Sequence, residues 1–178
     1  MARSNPNRPP LDHAALERLA LRYVERFATS RGRLLAYLER KLFERGATED
    51  TRPDAAAIAD RMVTLGYVDD RAYADARSRA LSRRGMGGRR IDMALRQAGI
   101  DEPLRRETVD STDSSAEQRA LRYAERRRFG PFSRALADPD QQRRQVAAMV
   151  RAGHAPALSA RIVRMKPGED AFEPVDNA

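Results

Sequence analysis

The heptapeptide ALRYVER at 20–26 returns as ALRYAER at 120–126, six identities in seven at an offset of 100 residues. Midway between them lies RAYADAR at 71–77, so that Tyr23, Tyr73 and Tyr123 are spaced by 50 residues each. A second register runs beside the first: LERKLFERGA, IDMALRQAGI and VAAMVRAGHA bring Gly46, Gly99 and Gly153 into alignment at spacings of 53 and 54. A unit of that length buries little on its own and must stack on its neighbours. The threefold pattern therefore restricts the chain to a tandem array.

The repeating unit is helical. From Asp12 the apolar positions Leu16, Leu19, Ala20, Tyr23, Val24 and Phe27 follow the i, i+3, i+4, i+7 spacing of one helix face. SRGRLLAYLERKLFERG carries a second stripe at Leu34, Leu35, Leu38 and Leu42, with Gly46 as its C-terminal stop. In EDTRPDAAAIADRMVTLGY a third helix is expected, with Pro53 in its first turn and Gly66 closing it. The corresponding third helices further on are a short one from Pro103 and one from Pro156 through Ile162. The expectation is an all-α fold of three three-helix repeats, at 12–66, 67–112 and 113–166, with disordered segments at 1–11 and 167–178 where proline and polar residues show no periodicity. The five tyrosines are read as repeat-core residues, and His154, just after a helix-ending glycine, as a loop residue.

Composition narrows the chemistry. Cysteine is absent, and His13 and His154 lie far apart, so no thiolate site and no ligand-spaced zinc cluster is expected. No cofactor is called for. The N-terminus lacks the apolar stretch of a signal peptide and no apolar run approaches membrane-spanning length, which reads as a cytoplasmic protein without a membrane partner. The formal net charge is +8, and 32 of the 34 basic residues are arginine. Most of that bias is the mark of a GC-rich coding sequence, yet the guanidinium fork pairs two oxygens at once and so favours phosphates and carboxylates. Nucleic acid or an acidic protein is the natural partner.

The adjacent carboxylates in LGYVDDRAYA could be a metal or acid–base pair, or the start of a helix. Arginine and alanine follow them, with no further ligand or poised partner. Asp69 suits an N-cap, Asp70 the first helical position at the positive end of the dipole, and Val68 and Tyr73 the two halves of a hydrophobic staple. No catalytic residue is assigned, and the protein is expected not to be an enzyme.

The arginines are the candidate binding groups. From Arg71 to Arg96 there are eight against two aspartates, a local charge of +6, and from Arg119 to Arg151 nine against three acids, again +6. SRRGMGGRR sets Arg83, Arg84, Arg89 and Arg90 around three glycines, which let a backbone come close to another surface; no Gly-Lys-Ser/Thr follows, so this is not a nucleotide P-loop. Arg126, Arg127 and Arg128 end a helix, where cations offset its dipole. Arg31 and Arg33 open one, against the dipole, and call for another reason such as an acidic partner.

The stretch GYVDDRAYADARSRALSRRGMGGRRIDMALRQAGI resembles the RecX family of recombination regulators. The positions that carry the likeness are Gly66, Tyr67, Asp69, Asp70, Tyr73, Arg83, Gly85, Ile91, Leu95, Gly99 and Ile100, and it extends less sharply over roughly 14–165. Met93 and Ala94 stand where the family commonly has an acidic or polar residue, and His154 where an aromatic is usual. The resemblance implies an elongated, curved array of three-helix repeats. It also implies a monomeric, non-enzymatic regulator in DNA repair, recombination and the SOS response. Its partner would be the RecA recombinase and RecA's nucleoprotein filament, with single- or double-stranded DNA as a further partner. The alternative is a stand-alone helical nucleic-acid-binding protein of transcriptional or RNA-binding type. A helix-turn-helix reader would show one short turn and dimer symmetry, which the threefold repeat does not.

Overall fold

The computed structural model describes residues 9–48, 52–112 and 114–170. The disorder expected at 1–8 and 171–178 lies outside them. Among the described residues the chain is all-α, with helices α1 (His13–Val24), α2 (Arg31–Arg45), α3 (Ala55–Thr64), α4 (Asp70–Arg83), α5 (Gly88–Gln97), α6 (Glu102–Asp110), α7 (Ala116–Arg127), α8 (Pro139–Arg151) and α9 (Pro156–Arg164), and a 3-10 turn at Gly130–Phe132 before α8. The only strand-like pairing there is an isolated bridge between Leu11 and Ala47.

Helices begin where a short polar side chain meets the first turn. Asp12 accepts the Ala15 N–H, Ser30 that of Arg33, and Asp54 those of Ala56 and Ala57. Ser115 with Gln118, and Asp138 with Gln141, form complete capping boxes. Each such cap contributes about 1 kcal/mol. Pro53 is not in the first turn of α3 as expected. It precedes the N-cap Asp54, whose carboxylate takes two first-turn N–H groups and so sets the start beyond the proline. Helices α2, α5 and α8 stop at the aligned glycines, with φ of 76° at Gly46, 73° at Gly99 and 96° at Gly153, a region an L side chain occupies only with strain.

Packing divides the chain differently from the repeats, into one compact unit of Met1–Ala74 with Arg96–Leu104 and another of Asp75–Leu95 with Arg105–Ala178. Helices α4, α5 and α6 each give residues to both. In the first unit α1, α2 and α3 pack on one another around Leu16, Leu34, Leu38, Ile58 and Met62. Each of these side chains is buried and worth about 1.5–3 kcal/mol over exposure. Leu11, inside the segment read as disordered, is fully buried in that core; its N–H donates to the Gly46 carbonyl and its own carbonyl accepts from Thr48. In the second unit α7, α8 and α9 close around Leu121, Tyr123, Met149, Ile162 and Val163. At the start of the tail, the Gly168 N–H donates to the Pro131 carbonyl.

Candidate functional site

The two aspartates start helices. Asp69 is the N-cap of α4, its Oδ1 accepting the Ala72 N–H at 2.9 Å. Asp70 does more than meet the dipole of its own helix: its Oδ1 accepts the backbone N–H of Arg31 at 2.7 Å and thereby satisfies a free donor at the start of α2. Of the staple pair, Val68 is buried in the first unit's core, while Tyr73 is half-buried and accepts a hydrogen bond from Arg33 Nη1 at 3.1 Å. Just upstream, the Tyr67 and Gly66 N–H groups donate to the Met62 and Val63 carbonyls in a Schellman motif built on Gly66 at φ 75°. That turn carries the Tyr67 ring outward. Tyr67 is 56% exposed, so the reading of all five tyrosines as core residues is corrected there.

Arg31 and Arg33, which oppose the helix dipole, find partners inside the same unit. Arg31 Nε is hydrogen-bonded to Asp60, which raises the guanidinium pKa and holds the Asp60 carboxyl below its ordinary value. The hydrogen bond to the Tyr73 hydroxyl likewise raises that of Arg33. Gly99 does more than stop α5. A Cβ on Gly32 would lie 2.7 Å from the Gly99 Cα, and the Ser30 hydroxyl donates to the neighbouring Ala98 carbonyl. The start of α2 and the end of α5 thus meet backbone to backbone.

The remaining candidate arginines belong to the second unit. Arg83, Arg84, Arg89 and Arg90 are exposed around a glycine joint that the chain itself occupies. A Cβ on Gly85 would stand 2.6 Å from the Tyr123 nitrogen, and one on Gly87 2.2 Å from the Gly153 carbonyl oxygen. The close approach expected of these glycines is therefore made to α7 and to the end of α8. Arg126, Arg127 and Arg128 are exposed at the end of α7, with Arg127 5.7 Å above the Tyr123 ring. Arg128 is the one non-glycine described residue at positive φ, 57°.

His154 is not a loop bystander. It is 3% exposed, its ring lies against Tyr123, and its Nε2 is 2.9 Å from the Gly85 carbonyl. Burial depresses its pKa, the Gly85 hydrogen bond opposes that, and the nearby Arg119 adds to it. Following Gly153 in another Schellman turn, its N–H donates to Met149, which folds it inward. The sequence did not single out Arg119 either. It is 6% exposed, its guanidinium donates to the Ser114 carbonyl, and its Nε has no hydrogen-bond partner among the described residues. Burial lowers its pKa.

Also in the second unit, α4 and α7 wall an open cleft of about 700 Å³. Arg79 and Arg83 enter it from α4 and Arg122 from α7, with Glu125 the one carboxylate among the described lining residues and Leu121 and Phe132 an apolar wall. Arg122 Nη1 donates to the Ser82 carbonyl at 3.1 Å. The Ser82 hydroxyl, on a residue 5% exposed, has no partner among the described residues. Arg79 and Arg122 went unnamed from sequence, although the i, i+4 spacing of Arg79 and Arg83 was there to read.

No group of three or more metal-ligating side chains converges among the described residues, and no described helix is long and apolar enough to cross a membrane. Residues 69–109 match the family described as RecX, second three-helix domain. The chain is 28% identical over 171 residues to the regulatory protein RecX of Myxococcus xanthus, covering 91% of each. It is 31% identical over 147 residues to that of Mycolicibacterium vanbaalenii, covering 78% of this chain and 77% of the relative. The crystal structure of RecX from Lactobacillus salivarius superposes with a TM-score of 0.61 at 18% identity, over 84% of this chain and 93% of that one, and so shares the fold.

Proposed function

The chain belongs to the RecX family of regulatory proteins, and from that premise we propose that it binds the RecA recombinase, above all RecA's nucleoprotein filament on DNA, and restrains its recombination and ATPase activity. It acts without catalysis of its own, as a cytoplasmic monomer. The observation that supports this best, beyond membership, is the set of exposed guanidinium groups at Arg83, Arg84, Arg89 and Arg90, held on a rigid glycine joint. Such groups suit a surface of carboxylates and phosphates. Arg126, Arg127 and Arg128 extend the same proposal. Arg31 and Arg33 stand as weaker members of it, since Asp60 and Tyr73 already engage them.

The test adds the purified protein to RecA on single-stranded DNA and follows ATP turnover and filament length. Inhibition at sub-stoichiometric to micromolar protein is expected; no effect at micromolar excess overturns the reading. Charge reversal at Arg83, Arg84, Arg89 and Arg90 is expected to weaken inhibition while leaving the thermal transition in place. Inhibition unchanged by that variant would remove the patch from the interface.

A further inference from the structure

We infer that the acidic segment 171–178, which continues the chain past Asp170, docks in cis into the cleft between α4 and α7 and shields its arginines from other anions. Charge and position within the second unit carry this reading, and its test needs no recombinase.

The cleft is a cationic surface with little to offset it. Arg79 and Arg83 sit one turn apart on α4, like charges that disfavour the helix. Both are exposed, and neither guanidinium has an ion pair or hydrogen bond among the described residues. Arg122 brings a third guanidinium from α7, held by the Ser82 carbonyl at 3.1 Å. Glu125 is the one carboxylate among the described lining residues, and Leu121 with the half-buried Phe132 makes the apolar side. An occupant that suits both sides carries carboxylates and an apolar side chain together.

The chain supplies such a segment. Residues 169–178 read EDAFEPVDNA, with Glu169, Asp170, Glu173 and Asp176 and no basic residue, in a chain of net charge +8. Phe172 lies among these acids. The described residues deliver the segment to the rim of the cleft. The Gly168 N–H donates to the Pro131 carbonyl at 2.9 Å, and the next residue after Pro131 is Phe132 of the apolar side. The exit is fixed by a turn in which the Lys166 N–H donates to the Glu169 carboxylate at 2.7 Å. Glu169 is thereby engaged, which leaves Glu173 and Asp176 as the carboxylates for the arginines. From Gly168 the chain reaches up to about 18 Å at Glu173 and about 29 Å at Asp176. That is ample for a cleft of about 700 Å³.

The tether favours this occupant over a second copy. A segment joined so close has an effective concentration on the order of millimolar, so contacts too weak to hold a separate peptide suffice. Carboxylate–guanidinium pairs at a surface are individually weak and screened by salt, which makes the shield displaceable by a stronger polyanion.

The chain has no cysteine, so engineered cysteine pairs report proximity without background. Val175→Cys is combined in the full chain with Glu125→Cys on the cleft lining, or with Arg143→Cys, exposed on α8 and not a lining residue. Disulfide formation under mild oxidation is followed by mass and gel mobility. The cleft pair is expected to close about tenfold or more faster than the α8 pair, within one chain. Glu173→Gln with Asp176→Asn, Arg79→Gln with Arg83→Gln, or raised salt is each expected to slow it toward the control rate. Arg126→Gln with Arg127→Gln, outside the cleft, is expected to change it least. In a second measurement inorganic tripolyphosphate is titrated into the native chain and into a chain ending at Asp170. With the cleft filled roughly nine-tenths of the time, removal of the segment tightens binding about tenfold. Equal closure of the two cysteine pairs would overturn the inference, as would closure indifferent to Glu173 and Asp176. Disulfide-linked dimers in place of the intramolecular product would assign the segment to a second copy and overturn the reading in cis. Tripolyphosphate affinity unchanged by truncation would overturn the shielding. RecA inhibition with closure at the control rate would defeat this inference alone; fast closure without inhibition would defeat the proposed function alone.

Discussion

Helices α1 and α7 carry nearly the same seven residues, ALRYVER and ALRYAER, yet the structure uses them differently. In α1, Tyr23 is half-buried and stacks on Tyr37 at 4.3 Å between ring centroids. In α7, Tyr123 is 7% exposed, with Phe129 and His154 against its ring and Arg127 above it. One residue before the shared heptapeptide, Leu19 packs on the first unit's core, while Arg119 occupies the matching register as a buried cation without a carboxylate partner among the described residues. The same local sequence fixes the same helix and the same inward face. What that face meets is set by residues outside the shared heptapeptide, Tyr37 for Tyr23 and Phe129 and His154 for Tyr123.

The comparison can be broken by substitution at matched positions. Tyr123→Ala is expected to cost about 3–5 kcal/mol, and Tyr23→Ala about half as much, because the second ring already meets solvent. Urea unfolding of the two variants checks this, and equal costs would mean the two environments are energetically alike. Arg119→Leu, which gives α7 the residue α1 has, is expected to stabilise the chain by about 1–3 kcal/mol, since it removes a desolvated charge with an orphaned Nε. A loss of stability would show that the Ser114 hydrogen bond outweighs that burial. Arg128→Gly is expected to add about 0.5–1 kcal/mol, relief of left-handed strain exceeding the entropy cost of glycine, with a rise in melting temperature as the readout.

The smallest effect is a slope with pH. His154 has a folded pKa below its unfolded value, so the unfolded chain binds the extra proton first. Its contribution to stability is full above the unfolded pKa of about 6.5 and is lost as pH falls toward the folded value. Melting temperature measured across that window should fall more steeply for the native chain than for His154→Gln. Parallel curves would exclude the buried imidazole as the cause.

Much of this molecule could be read from its residues because the relevant physics is local. Periodic apolar positions mark helix faces, Asp69 and Ser30 mark starts, and Gly46, Gly66, Gly99 and Gly153 mark stops, all within one or two turns of chain. The candidate site was legible only in part. The arginine density at 71–96 and 119–151 was visible, but not that Arg31 and Arg33 would be engaged by Asp60 and Tyr73. Nor could the chain position of Ser82 reveal a buried hydroxyl left without a partner beside Arg79, Arg83 and Arg122.

By itself, then, the sequence determined the helical unit, its threefold recurrence, the capping role of Asp69 and the basic character of 71–96 and 119–151. Only the tertiary structure decided which glycine lies against which backbone, that Asp70 serves α2, that Tyr67 faces solvent, and that Arg119 and His154 are buried. Capping and periodicity depend on neighbours three or four residues apart, which the chain lists in order. Burial, pairing and the shape of a cleft depend on residues dozens of positions apart, and folding alone brings those together.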